Sequence, residues 1–123
     1  ICCGYTDRLD DENYKKADPK SYFDLSKELN NMSIDQISIE DAHCKNDLNL
    51  LSNFPDKIII FGAINVTKSR RETVDEVRDR LKQALKFIDR ERLVVSPDCG
   101  MGLFSIDLAQ DKLKTLCEAV NSL

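Results

Sequence analysis

The sequence lacks the features that would point to a membrane, a nucleic acid or a dinucleotide. No apolar run approaches the roughly 20 residues that a membrane-spanning helix needs, and no signal peptide is recognisable. The formal net charge is −4, which argues against a nucleic-acid partner because phosphate binding requires a basic surface. No Gly-rich phosphate-binding fingerprint follows a predicted strand, which weakens a dinucleotide-binding interpretation.

The amino-acid composition is that of a folded domain, and the cysteines are expected to be free thiols or metal ligands. Hydrophobic residues make up 41% and charged residues 33% of 123 residues, enough for one modest domain. An odd number of cysteines without a secretory signal favours free thiols or a metal site over a disulfide framework. We therefore expect a cytoplasmic protein. The five cysteines are Cys2, Cys3, Cys44, Cys99 and Cys117.

Short apolar segments recur along the chain and predict buried strands. Three of them, Ile34–Ile39, Ile58–Phe61 and Leu93–Val95, are rich in β-branched residues. Ile1–Cys3 resembles the end of a fourth strand. The polar segment Thr6–Ala17 predicts a long loop over the functional face or a mobile segment.

Helical patterns separate these strands. Asp18-Pro19 is typical of a helix start, and the stretch after Asp47 predicts only a short helix. Ser69–Glu72 and Thr73–Glu76 both fit a capping box, so the start of the next helix stays open between them. The predicted apolar stripe of the last helix is Leu113, Leu116, Cys117 and Val120.

Strand–helix alternation, repeated four times, predicts an α/β fold with a parallel sheet. A doubly wound sheet and a (β/α)8 barrel are both compatible with this order. A four-stranded sheet with two open edges would be exposed to unwanted pairing, whereas a barrel needs about 250 residues. We therefore interpret residues 1–123 as the second half of one TIM-type barrel domain, comprising about four βα units. The other half would be missing or supplied by another chain, and a homo-oligomer is one way to supply it.

Three potential metal ligands follow the predicted strands. Cys2, Glu40 and Cys99 each lie at a strand end, and the carboxyl ends of parallel strands meet at one edge, where barrel enzymes place their working groups. Zinc accepts thiolates, imidazole and carboxylate in a tetrahedral shell. The sequence therefore predicts a zinc site with one position left for a nitrogen ligand or a substrate. A zinc-bound substrate thiol becomes a thiolate nucleophile, as S-alkylation requires.

The remaining cysteines and the single histidine have simpler interpretations. Cys3 should point to the opposite side of its strand from Cys2. Cys117 is interpreted as a packing residue and Cys44 as a surface or packing residue. His43 could reach the site from a loop, but a surface or hydrogen-bonding role is favoured.

The segments Ile39-Glu40 and Ser96-Pro97-Asp98-Cys99-Gly100 resemble the cobalamin-independent methionine synthase family, the 5-methyltetrahydropteroyltriglutamate–homocysteine methyltransferases. The resemblance implies a (β/α)8 barrel with zinc held by a His-x-Cys pair, a glutamate and the cysteine of Pro-Asp-Cys-Gly. These ligands fall on Cys2, Glu40 and Cys99, and the histidine would precede Ile1. Asp98 would orient Cys99 or its backbone without touching the ion.

The activity implied by the resemblance is zinc-dependent transfer of a methyl group to the thiol of homocysteine, forming methionine. Methyltetrahydrofolate is the expected donor, so the expected partners are small molecules. One position departs from the family: Thr67 stands where full-length synthases carry a histidine with a proton-transfer role. Arg70 and Glu72 resemble a polar loop that closes over the site in shorter relatives. A methionine synthase II-like relative with another methyl donor stays open.

Two alternatives to this activity remain open from the sequence. One is a barrel enzyme resembling uroporphyrinogen decarboxylase, which shares the fold but has no two-thiolate zinc site. The other is a non-catalytic barrel module that packs on another domain and binds no metal.

Overall fold

A computed structural model describes residues 1–123 as an α/β unit built on a three-stranded parallel sheet. The strands are β1 (Gln36–Glu40), β2 (Ile58–Ile64) and β3 (Leu93–Pro97), in the spatial order β1-β2-β3. The central strand, β2, is apolar throughout because it is covered on both faces. The predicted α/β class and parallel sheet are confirmed. No helix is both long enough and apolar enough to cross a membrane.

Three α-helices and two short 3-10 helices accompany the sheet. They are α1 (Lys20–Asn31), α2 (Val74–Ala84) and α3 (Ile106–Asn121), with 3-10 helices at Leu48–Asn53 and Arg90–Arg92. Helix α1 comes before β1, and α3 comes after β3. The short 3-10 helix between β1 and β2 is capped by the Asp47 carboxylate, which accepts a hydrogen bond from Asn49 N. The connection from β1 to β2 thus contains no α-helix, as the short apolar pattern after Asp47 predicts.

The expected fourth strand does not form. Ile1–Cys3 lies beside β1, where the terminal amine of Ile1 donates a hydrogen bond to Ser38 O at 2.7 Å. The amide of Cys3 then bonds to a side chain, the Glu40 carboxylate, and not to the β1 backbone. The two segments therefore share no regular ladder, although Ile1–Cys3 occupies the flank of β1 that a further strand would occupy.

Helix α2 begins at the second of the two candidate capping boxes. The Thr73 hydroxyl accepts a hydrogen bond from Glu76 N, and the Glu76 carboxylate accepts one from Thr73 N. The hydrogen bond from the Thr73 amide, and to a smaller extent the one from Arg70, lowers the pKa of Glu76. The boundary left open by the sequence is therefore settled in favour of Thr73–Glu76.

Replacing Thr73 by alanine is expected to destabilise the protein by about 1 kcal/mol, because one cap of α2 is lost. Urea denaturation of the variant would measure the change in the free energy of unfolding. Thr73→Ser keeps the hydroxyl and is the matched control. Equal stability losses in both variants would contradict a capping role.

The buried face of α3 differs from the predicted stripe by about one residue. The helix buries Leu108, Lys112, Leu116 and Ala119, whereas Leu113 and Cys117 are exposed. The interpretation of Cys117 as a packing residue is therefore wrong. The cause is Lys112, a charged residue that takes a buried position because its ammonium group finds partners inside the protein.

Candidate metal centre

The three predicted ligands lie together at the carboxyl edge of the sheet. Glu40 ends β1, and Cys99 follows β3 by two residues. The contact between Ile1 and Ser38 brings Cys2 to the same edge. The Sγ atoms of Cys2 and Cys99 and a carboxylate oxygen of Glu40 all lie within 4.8 Å of one another. We call these three residues the outer cluster; their role as metal ligands stays a prediction.

Glu40 is buried, with only 2% of its surface exposed, and is incompletely hydrogen-bonded. Its Oε2 accepts a hydrogen bond from Cys3 N at 2.9 Å, whereas its Oε1 has no protein partner. A buried carboxylate oxygen without a partner is costly unless a cation or another donor compensates it. Two sulfurs and a carboxylate oxygen form a donor set that suits zinc, so the residues present fit the ion that the resemblance implies.

The protein alone does not activate the Cys2 thiol. Partial burial and the nearby Glu40 carboxylate raise the pKa of Cys2, although the Gly4 amide opposes this shift. Cys2 therefore stays a neutral thiol at pH 7 until a cation is bound, since metal coordination is what deprotonates such a group. Cys2 and Cys99 are both exposed, so an ion or a substrate can reach their sulfurs.

Asp98 is a buried anchor for the loop that follows Glu40. Its Oδ1 accepts hydrogen bonds from the amides of Asp41 and Ala42, at 3.0 and 2.9 Å. Its Oδ2 accepts hydrogen bonds from the amide and Nδ1 of His43, at 2.9 and 2.8 Å. One carboxylate thus ties the residue before Cys99 to the three residues after Glu40. The side chain reaches the β1 loop; that it also orients Cys99 or its backbone, as the resemblance implies, stays a prediction.

Gly62 makes this crossing possible. It lies in β2 directly between Glu40 of β1 and Ser96 of β3. A Cβ at this position would stand 2.3 Å from Asp98 Oδ1 and 2.8 Å from Asp98 Cα. The residue is therefore a glycine because the Asp98 backbone and carboxylate pass over it.

Gly62→Ala is expected to destabilise the protein by about 1–3 kcal/mol, as an overpacked site does. The added methyl group must displace the Asp98 carboxylate, so metal affinity should fall as well. Gly102→Ala is the matched control, since nothing lies within 4 Å of its Cβ position. Thermal unfolding and zinc titration of both variants would check this, and equal behaviour of the two would contradict it.

A second anchor fixes the same loop from α2. Asp41 is fully buried and accepts two hydrogen bonds from Arg80, both at 2.7 Å. Arg80 also donates to Asn46 O, and Asn46 donates to Glu40 O. No sequence pattern signals this pair, because its members are 39 residues apart and each resembles an ordinary surface charge.

The loop after β2 is held by Lys112, a residue that the sequence interpretation missed. Its ammonium group is fully buried and donates to Glu72 Oε2 at 2.8 Å and to Asn65 O at 3.1 Å. Glu72 Oε1 accepts a hydrogen bond from Asn65 N. Glu72, read from the sequence as part of a closing loop, is therefore tied to the end of β2. Thr67, in the same loop, is buried and bonds to Asn65 Oδ1.

The polar segment Thr6–Ala17 has no helix or strand and crosses this side of the molecule. Asp10 N donates to Thr67 O, and the Asp10 carboxylate accepts hydrogen bonds from the amide and hydroxyl of Ser69. Glu12 pairs with Lys68. The segment is thus attached to the loop after β2, on the same edge of the sheet as the outer cluster.

His43 is the residue whose environment differs most from expectation. Its side chain is 2% exposed, so it is not a surface residue; the hydrogen bond to Asp98 agrees with the other half of that expectation. Its Nε2 has no hydrogen-bond partner and lies 3.7 Å from Glu40 Oε2. Tyr5 packs edge-on against the ring, with centroids 5.9 Å apart. Only the spacing of three residues from Glu40 could have signalled this proximity.

Tyr5 and Lys16 complete the wall beside His43. Burial, reinforced by the Glu40 carboxylate, raises the pKa of Tyr5, so its phenol stays protonated. The ammonium group of Lys16 lies 4.4 Å from the Tyr5 ring centroid, and burial lowers its pKa. Cys3 lies on this side too, since donor atoms of Cys3, Glu40 and His43 lie within 4.8 Å of one another. The Cys3 thiol donates a hydrogen bond to Tyr22 OH at 3.2 Å.

Comparison with known proteins identifies related sequences over most of the chain. Residues 20–122 match a family model described as the catalytic domain of cobalamin-independent synthase. A methionine synthase from Pyrococcus abyssi is 31% identical over 101 residues, covering 81% of this chain and 30% of that protein. A 2-hydroxypropyl-CoM lyase from Xanthobacter autotrophicus is 34% identical over 92 residues, covering 69% of this chain and 24% of that protein.

A solved structure is similar over nearly the whole chain. A B12-independent methionine synthase from Shewanella sp. W3-18-1, in complex with selenomethionine, is 30% identical, with a TM-score of 0.79. The match covers 99% of this chain and 36% of that protein. The chain thus spans about a third of the length of the relatives that it matches.

Proposed function

Because the chain belongs to the family of cobalamin-independent synthase catalytic domains, we propose that its protein transfers a methyl group to the thiol of homocysteine and forms methionine. We propose zinc as the cofactor, held by Cys2, Glu40 and Cys99. The observation that supports this most is the convergence of two thiols and a buried carboxylate within 4.8 Å at one sheet edge. An oxygen of that carboxylate lacks a protein partner.

The chemistry required is activation of a substrate thiol. Bound by the outer cluster, zinc would supply a positive charge that keeps the sulfur of homocysteine as a nucleophilic thiolate at neutral pH. The protein's part is to hold the ligands at a fixed spacing. Asp98 does so by bonding the loop after Glu40 to the residue before Cys99.

The methyl donor that we propose is methyltetrahydrofolate, the donor implied by the family resemblance. Thr67 does not supply a group for proton transfer where the resemblance places a histidine, and its hydroxyl is engaged by Asn65. A different donor would therefore be the first revision of this proposal. Transfer to homocysteine would survive that revision, since the outer cluster acts on the acceptor thiol.

The site needs more protein than these residues supply. Homologues are about three times longer, and we propose that the chain forms the second half of a (β/α)8 barrel of about four units. The rest of the barrel would come from the same protein or from a second copy. We place the complete protein in the cytoplasm, where free thiols persist.

The test of this proposal is an assay of the complete, zinc-loaded protein. We expect methionine to form from homocysteine and methyltetrahydrofolate, and to stop forming when a chelator removes the zinc. Other methyl donors should be tested with the same acceptor. Decarboxylation of uroporphyrinogen, or no methyl transfer to homocysteine from any donor, would contradict the proposal.

A further inference from the structure

A second group of potential ligands lies next to the outer cluster. One donor atom each from Cys3, Glu40 and His43 lie within 4.8 Å of one another. We call these three residues the inner cluster. It shares only Glu40 with the outer cluster, and it contains a nitrogen donor that the outer cluster lacks.

His43 is prepared as a ligand by its hydrogen bond to Asp98. The Asp98 oxygens accept hydrogen bonds from three backbone amides and therefore act as acceptors. In the contact with the His43 ring, the hydrogen is then carried by Nδ1. In the neutral ring this leaves a lone pair on Nε2. Histidines that bind metals are commonly fixed in this way, with the other ring nitrogen donating to a carboxylate.

The unpartnered Nε2 points to a ligand. Only 2% of the His43 side chain is exposed, yet its Nε2 has no hydrogen-bond partner. Buried polar atoms are nearly always satisfied. The unsatisfied Nε2, 3.7 Å from Glu40 Oε2, therefore requires a partner, which a bound cation provides.

Cys3 supplies the third donor. Burial raises the pKa of its thiol, and Tyr22 OH accepts its hydrogen at 3.2 Å. Tyr22 OH is itself fixed by contacts with Ile1 O and Glu40 N. The sulfur is thus held in one place, next to Glu40, and a cation that binds there would displace its proton.

We propose that Cys3, Glu40 and His43 form a second binding position for a zinc-type divalent cation, adjacent to the outer cluster and sharing the Glu40 carboxylate. A set of one nitrogen, one oxygen and one sulfur donor suits zinc or cobalt and is unsuited to magnesium or calcium, which prefer oxygen. The position follows from the donor atoms alone and does not depend on methyl transfer.

The test isolates the inner cluster in the complete protein. The double variant Cys2→Ser/Cys99→Ser removes both thiols of the outer cluster. Titration of this metal-free variant with Co²⁺ is expected to show one bound ion, with the sulfur-to-metal absorption of a single thiolate. Absence of a bound ion in this variant would overturn the proposal.

Two further substitutions assign the ion to its ligands. His43→Asn keeps a donor for Asp98 near the place of Nδ1 but has no atom at Nε2. Added to the double variant, His43→Asn or Cys3→Ser should abolish Co²⁺ binding, and Cys3→Ser should also remove the thiolate absorption. Cys117→Ser, an exposed thiol on α3, is the control that should change nothing. Thermal unfolding of each variant without metal checks that the fold is kept.

The result is independent of the enzyme's activity because metal content is measured in a variant that lacks the outer cluster. Retention of the ion after both His43→Asn and Cys3→Ser would overturn the proposal and leave the proposed methyl transfer untouched. Failure of methyl transfer in the unsubstituted protein, with Co²⁺ still bound by the double variant, would overturn only the proposed function.

Discussion

Cys99→Ser is expected to abolish methyl transfer and to release the cation held by the outer cluster in the complete protein. A serine hydroxyl does not ionise near neutral pH as a thiol does beside a metal, so a soft anionic ligand is lost. The measurement is a Co²⁺ titration, in which the absorption of three thiolates, two from the outer cluster and one from the inner cluster, should be replaced by that of the inner thiolate alone. Methionine formation is assayed on the same samples.

Two other substitutions serve as comparisons for the effect of Cys99→Ser. Glu40→Gln should weaken the outer cluster by a smaller margin, since a carboxylate is the harder ligand of a thiolate-rich set. Cys117→Ser should leave both metal binding and activity unchanged, because Cys117 is exposed on α3. A sulfur-to-metal absorption that Cys99→Ser does not reduce would refute the ligand assignment. Equal losses in Cys99→Ser and Cys117→Ser would indicate general instability instead.

Asp98→Ala is expected to lower the free energy of unfolding by about 3–5 kcal/mol, because three amides lose their acceptor in a buried site. The same change frees His43 Nδ1, which donates to Asp98 at 2.8 Å. The loop after Glu40 should then become mobile, and hydrogen exchange at Asp41 to His43 should accelerate. Urea denaturation measures the stability change.

Asp111→Ala is the matched control for this prediction. Asp111 pairs with Arg71 on the surface, where both side chains are more than half exposed. Such pairs contribute at most about 1 kcal/mol. If Asp98→Ala cost no more than Asp111→Ala, the anchoring role of Asp98 would be wrong.

The edge of the sheet that carries the site could be predicted from the sequence because strands have a simple signature. Ile58–Ile64 is apolar throughout, so it had to be a central strand, and its parallel neighbours had to end on the same side. Glu40 and Cys99 followed from that rule alone. The rule does not account for Cys2, since Ile1–Cys3 forms no strand and is positioned by contacts with Ser38, Glu40 and Tyr22.

The polar contacts that fix the predicted ligands could not themselves be predicted, because they join residues far apart in the sequence. Asp98 and His43 are separated by 55 positions, and Lys112 and Glu72 by 40. No periodicity signals such pairs. Lys112 is the clearest case: its position between Leu108 and Leu116 follows the helical spacing of a buried face, but its charge hides this.

The crossing of β2 by Asp98 sets a condition for moving this centre into another protein. The spacing between Glu40 and Cys99 is set by one carboxylate that reaches from the β3 loop to the β1 loop over Gly62. Copying only the sulfur and oxygen donors into a designed parallel sheet would therefore leave their separation undetermined. A successful graft would also need the aspartate and a middle strand that bears no side chain at that row.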